Sequence, residues 1–270
     1  MRTLQAIKIG SSLLKKQKIS SHILDSELLL SKTLNKSREE ILINLDKTIN
    51  FKKFSIYKRY LMRRSRNEPM AYIMGEKEFW SKRFEVNRNT LIPRPETELL
   101  IEELQKIYVN KQLSILDIGT GSGCIILSLL SILKKSKGTG IDISKKAILM
   151  AKKNAITHKL INRVKFLHTS FENIFHRKFD LIVSNPPYIQ TKDIKNLADD
   201  IKKYEPRMAL DGGNDGLDLI KKVIYKSKQI LKIKGMLALE IGNEQILRVS
   251  KALIEKNFRI KHIIKDYKNN

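Results

Sequence analysis

The feature that most restricts the fold of this chain is an alternation of short apolar runs with longer helical stretches, which begins near residue 113. Continuous apolar runs of this length are typical of strands that are buried on both faces of a sheet. The runs cover residues 114–118, 138–141, 164–167, 179–183 and 236–241. The helical stretches cover residues 124–133, 144–158, 216–231 and 244–256. This pattern predicts an α/β domain with a doubly wound, mostly parallel sheet.

The residues before this alternation have a different pattern. Apolar residues recur at helical spacing over residues 23–34 and 51–66, and Ser37 with Glu40 forms the capping box of a helix between them. Alternating residues over 72–86 indicate a β-hairpin. We therefore predict a helical domain over residues 1–73, a hairpin linker over 74–92 and the α/β domain over 93–270.

Composition indicates the cellular compartment of the protein more clearly than its activity. The single cysteine, Cys124, excludes an internal disulfide and fits a reducing compartment. No apolar run is long enough to span a bilayer, and the N-terminus lacks the apolar core of a signal peptide, so we expect a cytoplasmic monomer without membrane association. The five histidines have no ligand spacing, and no metal site is predicted.

The net charge of +25 suggests a nucleic-acid partner. However, the basic residues are mostly lysines spread along the whole chain, and no basic block with interleaved aromatic residues stands out. The sequence is also rich in Ile and Asn, which share AT-rich codons with Lys. We attribute most of the charge to this codon bias and expect any nucleic-acid contact to be incidental.

A glycine-rich segment follows the first apolar run. In open sheets a ligand binds beyond the carboxyl ends of the strands, and a glycine-rich turn lets it approach the backbone. The next run ends at Asp142, about 20 residues further on, where an acid meets the ribose hydroxyls of an adenosine ligand. NAD is a rival ligand, but its fingerprint is GxGxxG and the glycines here follow GxGxG. The segment consists of Gly119, Thr120, Gly121, Ser122 and Gly123.

The fourth apolar run ends in the sequence SNPPY at residues 184–188. Proline has no N–H for a central strand, so the strand ends here and Asn185 lies at the same sheet edge as the glycines. The Asn185 side chain and the Pro186 carbonyl offer adjacent acceptors, which suit the two hydrogens of an NH2 group. Tyr188 offers a flat face for stacking. The segment predicts a site for a planar amide or a base.

These residues resemble the S-adenosylmethionine-dependent methyltransferases that carry an (N/D)PP(Y/F) motif and methylate conjugated amino nitrogens. Over nearly the whole chain, the sequence is similar to the HemK-like (PrmC) release-factor glutamine N5-methyltransferases. The matching segments are DSELL at 25–29, EPMAY at 68–72, IPRPETE at 92–98, LDIGTGSG at 116–123, SNPPY at 184–188, YEPRMAL at 204–210, GG at 212–213, DGLD at 215–218 and LEIG at 239–242. The resemblance implies a class I S-adenosylmethionine-dependent methyltransferase (Rossmann-like) fold with a small N-terminal helical domain that helps to hold the substrate.

The resemblance also implies an activity, which is N5-methylation of the glutamine amide in the Gly-Gly-Gln motif of peptide chain release factors. The implied residues for the cofactor S-adenosyl-L-methionine are Gly119, Thr120, Gly121, Ser122, Gly123, Asp142, Phe171 and Asn185. The implied catalytic residues are Asn185, Pro186 and Tyr188, and the substrate-binding residues are these three with Pro187. Asn185 and the Pro186 carbonyl would bind the two amide hydrogens, and no general base is assigned.

The sequence departs from the family pattern at two positions. Related sequences usually have an acid at Ser170 and an aromatic residue, often Trp, at Phe171. Ser170 can still accept a hydrogen bond from adenine, but without a charge. Phe171 either stacks on adenine or packs in the core. We therefore expect a modest cofactor affinity.

Two other functions stay open. A nucleic-acid methyltransferase that acts on the exocyclic amino group of adenine or guanine uses the same motif, and the net charge favours it. A non-catalytic cofactor-binding module is the third possibility, which the intact SNPPY motif opposes.

The last pattern concerns the end of the sheet. Residues 258–265 alternate like the penultimate strand of these methyltransferases, and residues 266–270 form a polar tail. No apolar run follows for the final strand that the resemblance implies. We therefore expect a chain that is truncated relative to its relatives, with a weakened sheet edge.

Overall fold

The computed structural model describes residues 1–175 and 178–265, which divide into two compact units. The first unit comprises Met1–Gly75 together with Ala198–Tyr204, and the remaining residues form the second. The hairpin that follows Gly75 therefore belongs to the second unit. The segment Ala198–Tyr204, which the sequence pattern assigns to the α/β domain, returns to the first.

The first unit is helical. Its elements are α1 (Thr3–Lys16), α2 (His22–Leu34), α3 (Arg38–Ile43), α4 (Phe51–Arg64) and α5 (Met70–Met74), with α9 (Asp199–Tyr204) from the returning segment. The predicted capping box is confirmed, because the Glu40 N–H donates to Ser37 Oγ and the Ser37 N–H donates to the Glu40 carboxylate. Leu30 and Leu61 are among its fully buried core residues.

Buried polar groups in this unit are paired. The Arg64 guanidinium binds the Asp25 carboxylate at 2.7 Å, and Asp25 is only 3% exposed. The hydroxyls of Ser26 and Tyr57 lie 2.6 Å apart in the core. These contacts satisfy groups whose burial would otherwise be costly.

The second unit contains a short hairpin and a five-stranded parallel sheet. The antiparallel hairpin consists of β1 (Glu76–Phe79) and β2 (Lys82–Glu85). The sheet strands are β3 (Ser114–Ile118), β4 (Lys137–Asp142), β5 (Val164–His168), β6 (Phe179–Ser184) and β7 (Leu231–Leu239). The helices are α6 (Thr97–Tyr108), α7 (Cys124–Ile132), α8 (Lys145–Thr157), α10 (Asp218–Ile230) and α11 (Ile246–Glu255). The predicted α/β architecture is confirmed.

The strand order determines where a ligand can bind. The strands lie in the spatial order β5-β4-β3-β6-β7, so the chain runs outward from β3 and then returns to the other side of it. This reversal opens a crevice beyond the carboxyl ends of β3 and β6, which is the usual ligand site of open parallel sheets. The strands themselves are held by a core in which Ile115, Leu116 and Leu181 are fully buried.

The prediction of a strand over residues 258–265 is wrong. These residues have no strand structure, and Ile263 and Ile264 are exposed by 58% and 46%. Phe258 instead packs beside Leu217 and Val249. Alternation alone does not make a strand, because a strand needs a paired neighbour, and within the described residues none pairs with the outer edge of β7. The polar tail at 266–270 lies outside the described residues.

None of the helices in residues 1–175 and 178–265 is both long and apolar enough to cross a membrane.

Candidate active site

The register of the sheet brings four strand ends level with one another. Ile118 of β3 pairs with Ile141 of β4 and with Ser184 of β6, and Ser184 also pairs with Leu239 of β7. The residues that come next along the chain therefore share one edge of the sheet. Their spatial order is Asp142, Gly119, Asn185 and Glu240.

The glycine-rich segment forms a turn that is tied to β4. The N–H groups of Gly119 and Thr120 both donate to the Ile141 carbonyl, and the Gly121 N–H donates to Asp142 Oδ2 at 3.0 Å. Gly119 has a φ of +72°, and a Cβ built on it would meet no atom within 4 Å. The turn therefore requires glycine for its backbone conformation, and it leaves open space in which a ligand can approach the main chain.

The next residues of this segment are buried beneath the turn. Thr120 is 4% exposed, and its hydroxyl donates to Asp117 Oδ2 at 2.6 Å. Ser122 is also buried, and Gly123 precedes the first residue of α7, Cys124. The buried side chains of Thr120 and Ser122 therefore support the turn from the protein interior.

Three carboxyl groups lie at or next to this edge of the sheet, where burial disfavours their ionised forms. Burial raises the pKa of Asp117 to about 7, and it also raises the pKa of Asp142 and of Glu240. Asp117 Oδ1 is buried and accepts no hydrogen bond from the part of the chain that the structure describes. No lysine or arginine among those residues forms an ion pair with any of the three. A cationic ligand nearby would favour the ionised forms of these carboxyl groups.

The Asn185 side chain contacts Thr97 through its amide nitrogen, and Thr97 in turn contacts Glu240. Asn185 Nδ2 donates to Thr97 Oγ1 at 3.3 Å, and the Thr97 hydroxyl donates to Glu240 Oε2 at 2.6 Å. Across residues 1–175 and 178–265 no donor reaches the Asn185 oxygen, which remains available to a ligand. Pro186 is buried, and Pro187 is partly exposed.

Tyr188 is held by contacts at both ends. Its backbone carbonyl accepts a hydrogen bond from Gln245 Nε2 at 2.9 Å, and the same nitrogen donates to the Gly216 carbonyl at 3.1 Å. Its hydroxyl lies 3.5 Å from Glu240 Oε1. Burial raises the pKa of Tyr188 to about 12, with a further contribution from Glu240, so the phenol stays neutral. Its position is therefore determined by hydrogen bonds at its backbone carbonyl and at its neutral hydroxyl.

The segment IPRPETE contributes an ion pair near the site. The Arg94 guanidinium binds Glu205 Oε1 at 2.6 Å, and the Ile92 N–H donates to Glu205 Oε2 at 3.1 Å. Arg94 thus pairs with the acid of the YEPRMAL segment rather than with its neighbour Glu96. The IPRPETE and YEPRMAL segments, which are distant in sequence, are therefore in contact.

Phe171 and Ser170 lie after the end of β5. Phe171 is 8% exposed and packs in a cluster with Ile118 and Ile141. Ser170 Oγ accepts a hydrogen bond from the Glu172 N–H and begins a short helix. Phe171 therefore contributes to the core of the second unit.

Thr97, Glu240 and Gln245 also belong to the site, although neither the glycine-rich segment nor SNPPY contains them. Glu240 could have been found, because it directly follows the fifth apolar run just as Asn185 follows the fourth. Thr97 and Gln245 act through tertiary contacts at sequence separations of 88 and 57 residues from their partners. No local pattern reports such contacts.

The comparisons with known proteins identify the fold and the family. Residues 95–214 match the family model described as methyltransferase small domain, and residues 5–75 match the PrmC N-terminal domain. The structure of the hMettl16 catalytic domain superimposes with a TM-score of 0.54 at 18% identity, covering 66% of this chain and 68% of that one. A methyltransferase from Pyrococcus furiosus gives a TM-score of 0.50 at 19% identity, covering 67% and 80%. The fold is that of the class I methyltransferases.

Curated relatives narrow this class. The chain is 42% identical to the release factor glutamine methyltransferase of Buchnera aphidicola, covering 91% of this chain and 89% of the relative. It is 38% identical to that of Fusobacterium nucleatum, covering 95% and 73%. It also matches the bifunctional methyltransferase of Rickettsia conorii at 36% identity, where it spans 55% of the relative's length. The chain belongs to the release factor glutamine methyltransferase family.

Proposed function

We propose that this protein transfers a methyl group from S-adenosyl-L-methionine to the side-chain nitrogen of the glutamine in the Gly-Gly-Gln motif of peptide chain release factors. The observation that carries the proposal is the position of Asn185. It follows the central strand β6, beside the open glycine turn, and its oxygen receives no hydrogen bond from the described residues. The curated names of the relatives support the choice of substrate.

The residues at the sheet edge fit this cofactor. It supplies a methyl group on a positively charged sulfonium, which leaves as a neutral thioether. The buried carboxyl groups of Asp117, Asp142 and Glu240 suit a cation, and the open space beside Gly119 admits a ligand to the backbone. We assign the cofactor to residues 119–123, Asp142, Phe171 and Asn185.

Asp142 is suited to hold two hydroxyl groups of a ribose. Its two oxygens accept one backbone hydrogen bond each, from the Gly121 N–H at 3.0 Å and the Ser144 N–H at 2.8 Å. A carboxylate offers about four acceptor positions, so about two remain for a ligand. The same bonds fix the carboxylate relative to the glycine turn.

The acceptor amide requires orientation more than activation by a base. The nitrogen lone pair of an amide is delocalised into its carbonyl, so the nitrogen is a poor nucleophile that must be aligned with the reacting methyl group. We assign Asn185 Oδ1 and the Pro186 carbonyl to its two hydrogens, where they also stabilise the positive charge that develops on nitrogen. Pro187 and Tyr188 complete the substrate site.

We assign no general base. Tyr188, with a pKa of about 12, is a weak proton donor and is not ionised near neutral pH. Glu240 already accepts hydrogen bonds from Thr97 and Tyr188, which oppose part of the rise in its pKa. The proton is therefore released to water after methyl transfer.

The proposal is tested by incubating the protein with methyl-labelled cofactor, a release factor and total RNA in one vessel. We expect label in the release-factor peptide that contains Gly-Gly-Gln, as read by mass spectrometry. A release factor with Gly-Gly-Ala at this position is the matched control and should stay unlabelled. Label in RNA, with none in the release factor, would replace the proposal by nucleic-acid amino methylation.

Replacing Asp142 by alanine is expected to weaken cofactor binding by about 10- to 100-fold, since hydrogen bonds to a charged group contribute about 1.5–3 kcal/mol. Calorimetric titration measures the change. The matched control is Asp180→Ala, because Asp180 accepts the Ser114 N–H at 2.8 Å at the opposite ends of the strands. Equal losses in the two variants would show that Asp142 acts only through the sheet.

We also propose that the helical unit holds the release factor. A fragment of residues 76–270 keeps the hairpin, whose Phe79 and Phe84 are buried in the core of the second unit. We expect it to bind cofactor like the full chain but to methylate the release factor at least about tenfold more slowly at limiting substrate, equivalent to about 1.4 kcal/mol of lost binding. Unchanged methylation would exclude a role for the helical unit in holding the substrate.

A further inference from the structure

The Asn185 amide belongs to a network of hydrogen bonds that connects three separate segments. Asn185 follows β6, Thr97 is the first residue of α6, and Glu240 follows β7. Thr97 is 3% exposed. Burial raises the pKa of Glu240, but the hydrogen bond that Glu240 accepts from Thr97 opposes this rise and favours the ionised carboxylate. The Tyr188 hydroxyl contacts the second oxygen of the Glu240 carboxylate.

The direction of these hydrogen bonds follows from the hydrogens that each group carries. An ionised carboxylate only accepts, and a threonine hydroxyl has a single hydrogen to donate. The Thr97 hydrogen points to Glu240 Oε2 at 2.6 Å, so toward Asn185 the Thr97 oxygen can only accept. Thr97 therefore binds the NH2 side of the Asn185 amide, and the Asn185 oxygen faces away from Thr97.

The orientation of the Asn185 amide has a chemical consequence. The oxygen and the NH2 group of an asparagine are nearly identical in size, so an unconstrained amide can rotate by about 180° at little steric cost. The rotated amide would present hydrogens to the NH2 group of a substrate glutamine. Two donors would then face each other, and the acceptor that stabilises charge on the reacting nitrogen would be lost.

We propose that Thr97 and Glu240 are positioning residues that fix the orientation of the Asn185 amide, with its oxygen toward the substrate nitrogen. The identity of the substrate rests on the proposed function, whereas the orientation is a property of the ligand-free protein. Glu240 acts by taking the Thr97 hydrogen, and Thr97 acts by accepting the Asn185 hydrogen. Neither residue is assigned a contact with the substrate.

The first test measures the orientation without any substrate. In a nitrogen-15 spectrum of side-chain amides, the NH2 signals that disappear in Asn185→Asp belong to Asn185. We expect Thr97→Val to shift these signals and to speed their exchange with solvent, and Thr97→Ser to leave them close to wild type. Signals that stay unchanged in Thr97→Val would overturn the proposal.

The second test measures the reaction. Thr97→Val is expected to lower kcat by about tenfold, the effect of losing one hydrogen bond, while the KM for the release factor and the cofactor affinity stay within about twofold. Glu240→Leu should lower kcat at least as much, because the Thr97 hydroxyl can then donate to the Asn185 oxygen. Thr97→Ser should restore kcat.

The control is Thr90→Val, which removes the hydroxyl of another buried threonine, one that donates to the Asn87 carbonyl at 3.3 Å. It should leave kcat unchanged. Wild-type kcat in Thr97→Val, or an equal loss in Thr97→Ser, would overturn the proposal. Absence of release-factor methylation by the wild type would refute the proposed function instead, and the amide spectrum would still decide the orientation.

Discussion

Replacement of Asn185 by alanine is expected to slow methyl transfer by about 100-fold or more, the loss that follows removal of one acceptor or donor aimed at developing charge. The variant loses the oxygen that we assign to the substrate NH2 group. It keeps the glycine turn and Asp142, which hold most of the proposed cofactor contacts. Cofactor affinity should therefore change little, and single-turnover kinetics with calorimetry can separate the two effects.

The matched control for this prediction is Asn196→Ala. Asn196 is an exposed asparagine in a short helix beyond the SNPPY segment, so the same atoms are removed away from the site. Its kcat should equal that of the wild type. Turnover by Asn185→Ala within about twofold of wild type would mean that the Asn185 oxygen does not stabilise the reacting nitrogen.

The line of residues at the sheet edge shows how far strand-end reasoning extends. Parallel strands in register place their carboxyl ends together, so the apolar runs were enough to predict that Gly119, Asp142 and Asn185 lie on one edge. Applied to the fifth run, the same reasoning leads to Glu240. The prediction of the α/β fold depended on these runs, which are long, apolar and bounded by turn residues.

The prediction of a strand over residues 258–265 failed because a strand depends on a partner distant in sequence. Residues 258–265 have a strand-like alternation, but no described strand pairs with them, and they remain irregular. The segment Ala198–Tyr204 lies between α/β elements in sequence but belongs to the helical unit. Local patterns contain no information on such pairings, because propensity is a weak preference that tertiary contacts override.

Gly216 provides the second large effect that we expect, because it packs against the backbone of the proposed substrate site. It has a φ of +74°, and a Cβ built on it would lie 2.4 Å from the Tyr188 carbonyl oxygen and 2.6 Å from Gln245 Nε2. An alanine at this position must displace one of these groups. The hydrogen bond between Gln245 Nε2 and the Tyr188 carbonyl is then lost.

The matched control is Gly75→Ala, which separates backbone strain from this contact. Gly75 has a φ of +82°, similar to that of Gly216, but its Cβ would meet no atom within 4 Å. Gly75→Ala should lower the free energy of unfolding by about 1–2 kcal/mol, the cost of a left-handed conformation with a Cβ. Gly216→Ala should lower it by about 2–5 kcal/mol, since the displaced hydrogen bond adds about 1–3 kcal/mol.

Gly216→Ala should also lower kcat by at least about tenfold in the fraction that remains folded, because a small displacement of a positioned group has a large effect on rate. Denaturant titration gives the two free energies of unfolding, and the amount of cofactor bound at saturation gives the folded fraction. Equal destabilisation by Gly216→Ala and Gly75→Ala would mean that the neighbourhood of Tyr188 can relax around a new Cβ. In that case residues 212–216 would not hold the SNPPY backbone in place. If residues 212–216 do hold the Tyr188 backbone in place, Gly216→Ala should destabilise the protein more than Gly75→Ala and should also reduce kcat. Residues 212–216 would then position the SNPPY backbone, whereas Thr97 and Glu240 position the Asn185 side chain.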